Sequence, residues 1–350
     1  MTHSACIFGC MGQGLSADER AFFRDAKPWG FILFARNIGT AEQVRALTRT
    51  LREAVDDEST LIFIDQEGGR VQRLKPPLAR LRHPSLPFGE LYKRDPDAAT
   101  RAVYLNHRLL AYELAAVGID ADCAPCVDLL HPDGHGIIGD RAFGTDPDLV
   151  AALGRAACDG LRSGGVVPVI KHIPGHGRAA VDSHLALPVV ATDLDSLDST
   201  DFLPFRALKG EAMAMTAHVV YAAADPDRAL TVSTKAIDEI VRGRIGFDGL
   251  LLSDDLSMKA LGGGLSSRAA SAIGAGCDVA LHGNGALVGE PVRDLMGELV
   301  AVAKACGTLS GKALQRATAA RAASRQHSAF DSREAETELA LLGLGGRVAA

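Results

Sequence analysis

Eight short apolar runs separated by helix-like segments are the feature that most constrains how this chain can fold. Most of the runs are continuously apolar rather than alternating, which is typical of strands covered on both faces in a parallel sheet. Between them lie amphipathic segments such as 41–55 and 99–118, whose apolar positions recur every three or four residues. The runs occupy residues 5–10, 30–35, 60–65, 122–129, 166–172, 212–220, 249–254 and 278–282. The sequence therefore predicts an α/β protein.

The number of strands favours one architecture over its rival. Eight strands that alternate with helices predict a single (β/α)8 TIM barrel. A doubly wound open sheet is the alternative, but no Gly-rich dinucleotide fingerprint follows the first strand. The chain has 350 residues, a length at which α/β barrels still form one domain. We therefore expect one catalytic domain over residues 1–350, with a helical tail at about 308–350 packed outside the barrel.

Composition limits the partners and the compartment. The net charge is -6 and the chain has no basic block, which argues against nucleic acid as a partner. The first residues lack a secretory signal and no stretch approaches 18 apolar residues, so we expect neither export nor membrane insertion. Seven scattered cysteines do not suggest a disulfide framework and fit a reducing cytoplasm. The glycines at 262–264 lack the companions of a phosphate loop and indicate a turn. We expect a cytoplasmic monomer without a cofactor.

Four of the apolar runs end in ionisable side chains, which a TIM barrel would bring together at its C-terminal rim. Polar residues often begin where a strand ends, but four such endings together predict a site. The carboxylate of Asp254 could be a nucleophile, a base, a metal ligand or a helix cap. Because successive strand residues point to opposite faces, only one of Asp254 and Asp255 is expected to face the site. The residues at these ends are Asp65, Lys171, His172, His218, Asp254 and Asp255.

The segment "KHIPGHGRAAVDSHLALP", residues 171–188, crowds three histidines and an aspartate into a Gly- and Pro-rich loop. Asp182 and His184 are two residues apart, so an extended backbone places them on the same side. The carboxylate could then fix the tautomer of the imidazole and raise the pKa of His184, as a general acid/base requires. Glycines in this loop indicate that residues 173–187 form a lid that closes on substrate.

A metal site is the competing interpretation of these histidines. The first of two possible ligand sets lies in the segment 171–188, where the positive charge of Lys171 beside an ion disfavours binding. The second set includes two cysteines that are three residues apart on a predicted strand and should point to opposite faces. We therefore expect no metal site, and a metal-dependent barrel hydrolase stays as an alternative. The two sets are His172, His176, Asp182 and His184, and Cys123, Cys126, His131 and His135.

Three arginines, Arg70, Arg73 and Arg141, lie in predicted loops beside glycine-rich turns. Surface salt bridges, which contribute little stability, are one interpretation. Hydrogen-bond donation to a polyhydroxylated ligand is the other.

Several motifs of the sequence resemble those of a known family. "GLLLSDDLS", residues 249–257, resembles the signature around the nucleophile of family 3 glycoside hydrolases. "FIDQEGGRVQRL" and the segment 171–188 are similar to hallmarks of the bacterial β-N-acetylhexosaminidases of that family. With "IIGDRAFG" and "MTAHVVY", the likeness extends from about residue 28 to 285. One departure is Ile173, where the family more often has Phe.

The resemblance implies a retaining exo-β-N-acetylglucosaminidase that forms a covalent glycosyl-enzyme on Asp254. It makes His184 the general acid/base and Asp182 its partner. For a cytoplasmic bacterial member it implies muropeptide substrates, GlcNAc-1,6-anhydro-MurNAc peptides, in cell-wall recycling. A sugar-binding protein without catalysis is a further alternative. A neutral imidazole base does not repel phosphate, so phosphate could replace water as the acceptor. The residues implied to hold the terminal N-acetylglucosamine are Asp65, Arg73, Arg141, Lys171 and His172.

Overall fold

The computed structural model describes residues 2–183, 186–285, 294–323 and 328–347. Their main sheet consists of eight parallel strands whose spatial order follows the chain. The last strand pairs with the first, and a parallel bridge between Leu252 and Val279 joins the seventh strand to the eighth. The sheet is thus closed, so the predicted TIM barrel is confirmed and the open doubly wound sheet is wrong. The strands are β1 (Ser4–Phe8), β2 (Pro28–Leu33), β3 (Leu61–Ile64), β4 (Ala121–Asp122), β5 (Val167–Ile173), β6 (Met213–Thr216), β7 (Leu250–Leu252) and β8 (Ala280–His282).

Helices surround the barrel, and several of them begin at residues whose side chains cap the first turn. Ser16 and Glu19 form a capping box at the first helix, and Thr40 and Asp95 accept N-cap hydrogen bonds at later ones. The helices are α1 (Ala17–Ala26), α2 (Ala41–Val55), α3 (Leu86–Tyr92), α4 (Pro96–Ala115), α5 (Pro147–Ser163), α6 (Leu194–Ser199), α7 (Phe202–Ala207), α8 (Thr234–Ala236, continued by a π-helix at Ile237–Arg244), α9 (Leu265–Ala275), α10 (Leu295–Cys306), α11 (Gly311–Ala322) and α12 (Ser332–Leu341).

Several strands are shorter than their predicted runs, and two differ in an informative way. Of the run at 122–129 only Asp122 belongs to a regular strand, β4, and the chain then meets Pro125, which has no N–H to donate to a ladder. Cys126 returns to the sheet through a single bridge to Lys171. The run at 212–220 leaves the barrel after Thr216, and its last residues form a separate short pair with Val189–Val190.

The C-terminal helices pack on the outside of the barrel. Leu339 of α12 is fully buried and belongs to the same hydrophobic core as the barrel strands. The buried guanidinium of Arg82 pairs with Glu113 of α4 and, at 2.8 Å, with Glu336 of α12. At the N-terminal end of the barrel, Arg321 of α11 donates a hydrogen bond to the backbone of Trp29. These contacts attach the tail to the barrel wall.

Within the described helices, none combines the length and the apolar character needed to cross a membrane. The seven cysteines are all buried, and none forms a disulfide.

Candidate functional site

A cavity of about 260 Å³ opens at the C-terminal ends of the barrel strands. It brings together Asp254 and all five residues that the resemblance assigned to sugar binding. Its lining residues are Ile32, Phe34, Asp65, Arg70, Val71, Arg73, Ile137, Arg141, Lys171, His172, Met215, Asp254, Asp255 and Leu281. A larger cavity of about 450 Å³ lies at the opposite end, beside Trp29 and Arg321. Because chemistry in TIM barrels occurs at the C-terminal face, the smaller cavity is the candidate active site.

Lys171, at the end of β5, is a buried cation held between two carboxylates. Its Nζ lies 3.0 Å from Asp65 Oδ1 and 2.7 Å from Glu67 Oε1. Burial alone would lower the pKa of Lys171, but the two carboxylates raise it above its usual range. Asp65 is also bound by Arg73, at 3.0 Å. Burial would raise the pKa of Asp65, yet Lys171 and Arg73 hold it well below its usual range, so Asp65 is ionised.

Glu67 is a site residue that the sequence reasoning missed. It lies in a short hairpin formed by Gln66–Gly68 and Val71–Gln72, immediately after β3. Both of its oxygens accept hydrogen bonds from Arg141, each at 2.8 Å. Burial would raise the pKa of Glu67, but Arg141 and Lys171 lower it to about 2. A signal existed, because Glu67 follows Asp65 by two residues and so faces the same side in an extended chain.

His172 is oriented by a second residue that the sequence reasoning missed, Asp128. His172 Nδ1 lies 2.7 Å from Asp128 Oδ2, and the other oxygen accepts the backbone N–H groups of His172 and His176. This contact assigns the proton to Nδ1 and leaves Nε2 as an acceptor, 3.5 Å from an Arg141 nitrogen. Burial would raise the pKa of Asp128, but His172 holds it below its usual range. The signal was a carboxylate near the end of the otherwise apolar run at 122–129.

Asp122, the last residue of β4, is a buried carboxyl beneath these charges. One oxygen accepts the backbone N–H of Gln66 at 2.9 Å. Burial raises the pKa of Asp122 to about 8, and the nearby charges of Asp65 and Glu67 act in the same direction. The surroundings of Asp122 therefore favour its neutral form, which adds no further negative charge to the cluster.

Asp254 and Asp255 follow β7, and both line the cavity. The expectation that only one would face the site is wrong, because the strand ends at Leu252 and the alternation of faces ends with it. Asp254 accepts the N–H of Asp255 at 2.8 Å, and Asp255 accepts the N–H of Ser257 at 2.9 Å. The next helix, α9, begins only at Leu265, so neither aspartate is its cap.

The loop after β5 lies against the segment that follows Asp254. His176 Nε2 is 2.9 Å from Ser183 Oγ, and the backbone N–H of Ala260 donates to the carbonyl of Ser183 at 3.1 Å. Burial and His172 lower the pKa of His176 to about 4, while Asp254 acts in the opposite direction. His184 lies outside the described residues, so its pairing with Asp182 stays a prediction.

His218 does not line the cavity, although the sequence grouped it with the rim residues. Its Nδ1 lies 2.8 Å from Thr231 Oγ1 and its Nε2 3.3 Å from the backbone carbonyl of Asp255. The side chain is fully buried behind the segment that carries the two aspartates. We interpret His218 as a structural residue that positions this segment through its contact with the backbone of Asp255.

Arg70 joins two segments of the cavity wall. Its guanidinium donates hydrogen bonds to the carbonyl oxygens of Gly136, Ile137 and Ile138. It also lies 3.5 Å from Asp140. The contacts connect the hairpin that carries Glu67 to the segment that carries Arg141, so Arg70 is more than a surface ion pair.

Within the described ranges, one group of side chains has ligand atoms close enough to hold a metal ion. It consists of Cys126, Asp128 and His172, whose ligand atoms lie within 4.8 Å of one another. Cys126 Sγ and His172 Nδ1 both direct a proton to the same oxygen of Asp128, at 3.2 and 2.7 Å. Burial raises the pKa of Cys126 well above its usual range. A metal ion would have to displace both protons, so the trio is better described as a hydrogen-bonded unit.

The second set considered as metal ligands is dispersed. His131 pairs with Asp201 at 3.0 Å, and His135 accepts the backbone N–H of Ile137. Of that set, only Cys126 belongs to the trio. The first set includes His184, which the structure does not describe.

Comparisons with known proteins agree with this geometry. The sequence model of the glycosyl hydrolase family 3 N-terminal domain matches residues 12–319. The curated beta-hexosaminidase of Alkalilimnicola ehrlichii is 42% identical over 282 residues, 79% of each chain. That of Xanthomonas oryzae pv. oryzae is 38% identical over 312 residues, 88% of this chain and 92% of its own length.

Two solved structures are similar throughout the barrel. NagZ from Neisseria gonorrhoeae, in complex with N-trifluoroacetyl-D-glucosamine, is 32% identical with a TM-score of 0.75, over 94% of this chain and 99% of that chain. A glycoside hydrolase family 3 beta-N-acetylglucosaminidase from Paenibacillus sp. is 30% identical with a TM-score of 0.80. The match covers 93% of this chain but only 63% of the Paenibacillus protein.

The family match extends over most of the chain, and the curated relatives are covered over most of their own lengths. The resemblance inferred from the motifs is thereby confirmed, as is the prediction of a glycoside hydrolase. The chain belongs to glycosyl hydrolase family 3.

Proposed function

We propose that this family 3 enzyme is a retaining exo-β-N-acetylglucosaminidase. The observation that carries the proposal is the placement of Asp254 in one cavity with the cations and carboxylates around Lys171. The curated relatives are named beta-hexosaminidase, and the Neisseria structure was determined with an N-acylated glucosamine analogue. Both facts favour an N-acetylhexosamine as the sugar.

The chemistry of the cavity suits the end of a sugar chain. Asp65 is held ionised and can accept hydrogen bonds from sugar hydroxyls, while Arg73, Arg141 and Lys171 can donate them. The cavity, at about 260 Å³, is smaller than the roughly 300–1,000 Å³ that is usual for drug-sized ligands. This volume favours a single ring and hence an exo-acting enzyme.

The proposed reaction has two steps. In the first, a carboxylate oxygen of Asp254 bonds to the anomeric carbon while protonated His184 donates its proton to the departing oxygen. In the second, neutral His184 takes a proton from water, whose oxygen displaces Asp254 from the anomeric carbon. Two inversions keep the configuration, and His184 ends protonated as it began. Asp182 would hold the imidazole in the required tautomer.

The biological substrate is a finer part of the proposal. From the motif resemblance we propose that the enzyme removes terminal N-acetylglucosamine from 1,6-anhydro-muropeptides in cytoplasmic cell-wall recycling. Mass spectrometry of a purified anhydro-muropeptide after incubation should show loss of one N-acetylglucosamine. Cleavage of chito-oligosaccharides without any release from the muropeptide would contradict this assignment.

A colour assay separates the proposed activity from its alternatives. With 4-nitrophenyl N-acetyl-β-glucosaminide, the wild-type protein should release nitrophenol, and Asp254→Ala should lower kcat by at least about 10³-fold. Exposed Asp227 supplies the matched control, and Asp227→Ala should keep the wild-type rate. Absence of colour with the wild type would favour a sugar-binding protein. Loss of activity with a chelator, restored by zinc, would favour a metal-dependent hydrolase.

A further inference from the structure

His282, the last residue of β8, is a fully buried histidine between two carboxylates. Its Nε2 lies 3.1 Å from Glu298 Oε2, and its Nδ1 lies 3.5 Å from Asp255 Oδ1. Asp255 directly follows the proposed nucleophile, Asp254. His282 is therefore one residue removed from the reacting carboxylate, although it does not line the cavity.

The elements packed around His282 supply few other charges in the described part of the chain. Glu298 belongs to the first turn of α10 and also accepts a hydrogen bond from Asn284, at 2.6 Å. Arg36 donates to the backbone carbonyl oxygens of Gly283 and Asn284. On β1, the residue in register with His282 is Phe8, which is apolar. The ionisable neighbours are thus two carboxylates that contact the ring and one guanidinium bound to the following backbone.

This environment favours the charged form of the ring. Burial lowers the pKa of His282, but Asp255 and Glu298 together raise it to about 9. Burial raises the pKa of Asp255, while His282 and backbone N–H donors lower it to about 2. At neutral pH the group is an imidazolium between two carboxylates.

Asp255 also fixes the backbone around the nucleophile. Its two oxygens accept the N–H groups of Ser257 and Gly285, at 2.9 and 3.1 Å, so it connects the segment after β7 to the segment after β8. An ionised Asp255 without a counter-charge would place a second, uncompensated negative charge directly beside Asp254, and like charges disfavour each other.

We propose that His282 is a positioning residue for the nucleophile: its imidazolium neutralises Asp255, so that Asp255 can hold the backbone that directs Asp254 into the cavity without adding an uncompensated negative charge beside it. The proposal rests on the proposed function, in which Asp254 must be a carboxylate to attack the sugar. It goes beyond that function by giving a role to His282, a buried side chain that does not line the cavity.

The test is the pH profile of kcat/KM for nitrophenyl N-acetyl-β-glucosaminide. His282→Gln removes the positive charge of the imidazolium. The acid limb of the profile, where kcat/KM falls as the pH is lowered, should then move to higher pH by about one unit, because the negative charge of Asp255 is no longer compensated. KM near neutral pH should stay within about twofold of wild type, since the ring does not line the cavity. His107→Gln is the matched control: His107 is also buried, but its Nδ1 contacts a carbonyl within α4. Its acid limb should coincide with that of the wild type.

A double variant separates charge compensation from packing. In His282→Gln/Asp255→Asn both charges are absent, so the acid limb should return toward the wild-type position. A purely structural role for His282 predicts no such recovery. The double variant also keeps the test usable if the single variant fails to fold.

The proposal is overturned if folded His282→Gln has the acid limb of the wild type, or if the double variant is displaced as far as the single one. A wild-type rate for Asp254→Ala would instead overturn the proposed function. The two failures are therefore distinguishable.

Discussion

At the scale of single residues, the candidate site consists of buried charges that neutralise one another. Lys171 forms ion pairs with two carboxylates, Asp65 and Glu67, and Glu67 also pairs with Arg141. Leaving one buried charge without its partner is far more costly than replacing the whole pair. The positions of Lys171 and Arg141, which would donate hydrogen bonds to a sugar, thus depend on Glu67, which need not contact the sugar.

Replacing Lys171 by Met tests this dependence. The variant leaves Asp65 and Glu67 without their shared cation, so we expect a loss of about 3–5 kcal/mol in the free energy of unfolding. We also expect kcat/KM to fall by at least about 10²-fold, as misplaced binding groups cause. Urea unfolding measures the free energy of unfolding, and the nitrophenyl assay measures kcat/KM. The control is Lys209→Met at an exposed position, which should change neither.

Glu67 makes a prediction about acid stability. Its folded-state pKa is about 2 against an ordinary value of 4.5, so its ionised form stabilises the fold fully above pH 4.5. This contribution is lost as the pH falls from 4.5 toward 2. In Glu67→Gln, the fall of the unfolding free energy over that window should be shallower than in the wild type. Exposed Glu58→Gln should keep the wild-type slope, and an unchanged slope in Glu67→Gln would contradict the assignment.

At the scale of elements, the loop after β5 is packed tightly where it leaves the barrel. A Cβ added to Gly177 would lie 2.0 Å from the backbone oxygen of Leu129. Gly136, in the facing segment, has open space around its missing Cβ. The two glycines thus form a matched pair that differs in packing.

Gly177→Ala should displace the loop that carries Asp182 and His184. The new Cβ would overlap a backbone oxygen, and backbone cannot move aside as the end of a flexible side chain can. We expect kcat/KM to fall at least tenfold, or roughly 1.4 kcal/mol in transition-state stabilisation. Gly136→Ala should retain wild-type activity. Equal activities of the two variants would show that the position of this loop does not limit the reaction.

The apolar runs predicted which elements exist but not where each one ends. Every predicted run overlaps a barrel strand, since continuous apolar sequence is what burial on both faces requires. The ends depended on single features of the chain, such as Pro125, which interrupts the ladder after β4. Asp65, Lys171 and Asp254 were found because they lie at the ends of predicted apolar runs. Glu67 was missed because it lies in the hairpin, and its role depends on a tertiary contact with Arg141 that no local pattern contains.

At the scale of the whole molecule, barrel and tail share one hydrophobic core. Leu339 of α12 is fully buried in that core, and the single tryptophan, Trp29, lies at the N-terminal end of the barrel against Arg321. We expect residues 1–350 to behave as one domain for this reason.

Leu339→Ala should lower the stability of barrel and tail together. Removing a buried Leu side chain costs about 2–5 kcal/mol. We expect the midpoints reported by Trp29 fluorescence and by far-ultraviolet circular dichroism to fall by the same amount in urea. A fall in only one signal would show that the tail unfolds separately. Because α12 does not line the cavity, kcat/KM of the folded variant should stay within about twofold of wild type.

The proposed mechanism requires the sugar to become covalently attached to Asp254, and this intermediate can be trapped. A fluorinated N-acetylglucosaminide with a good leaving group should form the glycosyl-enzyme faster than water resolves it. Peptide mass spectrometry of the trapped protein is then expected to place one sugar on the peptide that contains Asp254 and none on the Asp254→Ala variant. A sugar attached to any other residue, or turnover of the reagent without an adduct while Asp254→Ala remains active, would contradict the account.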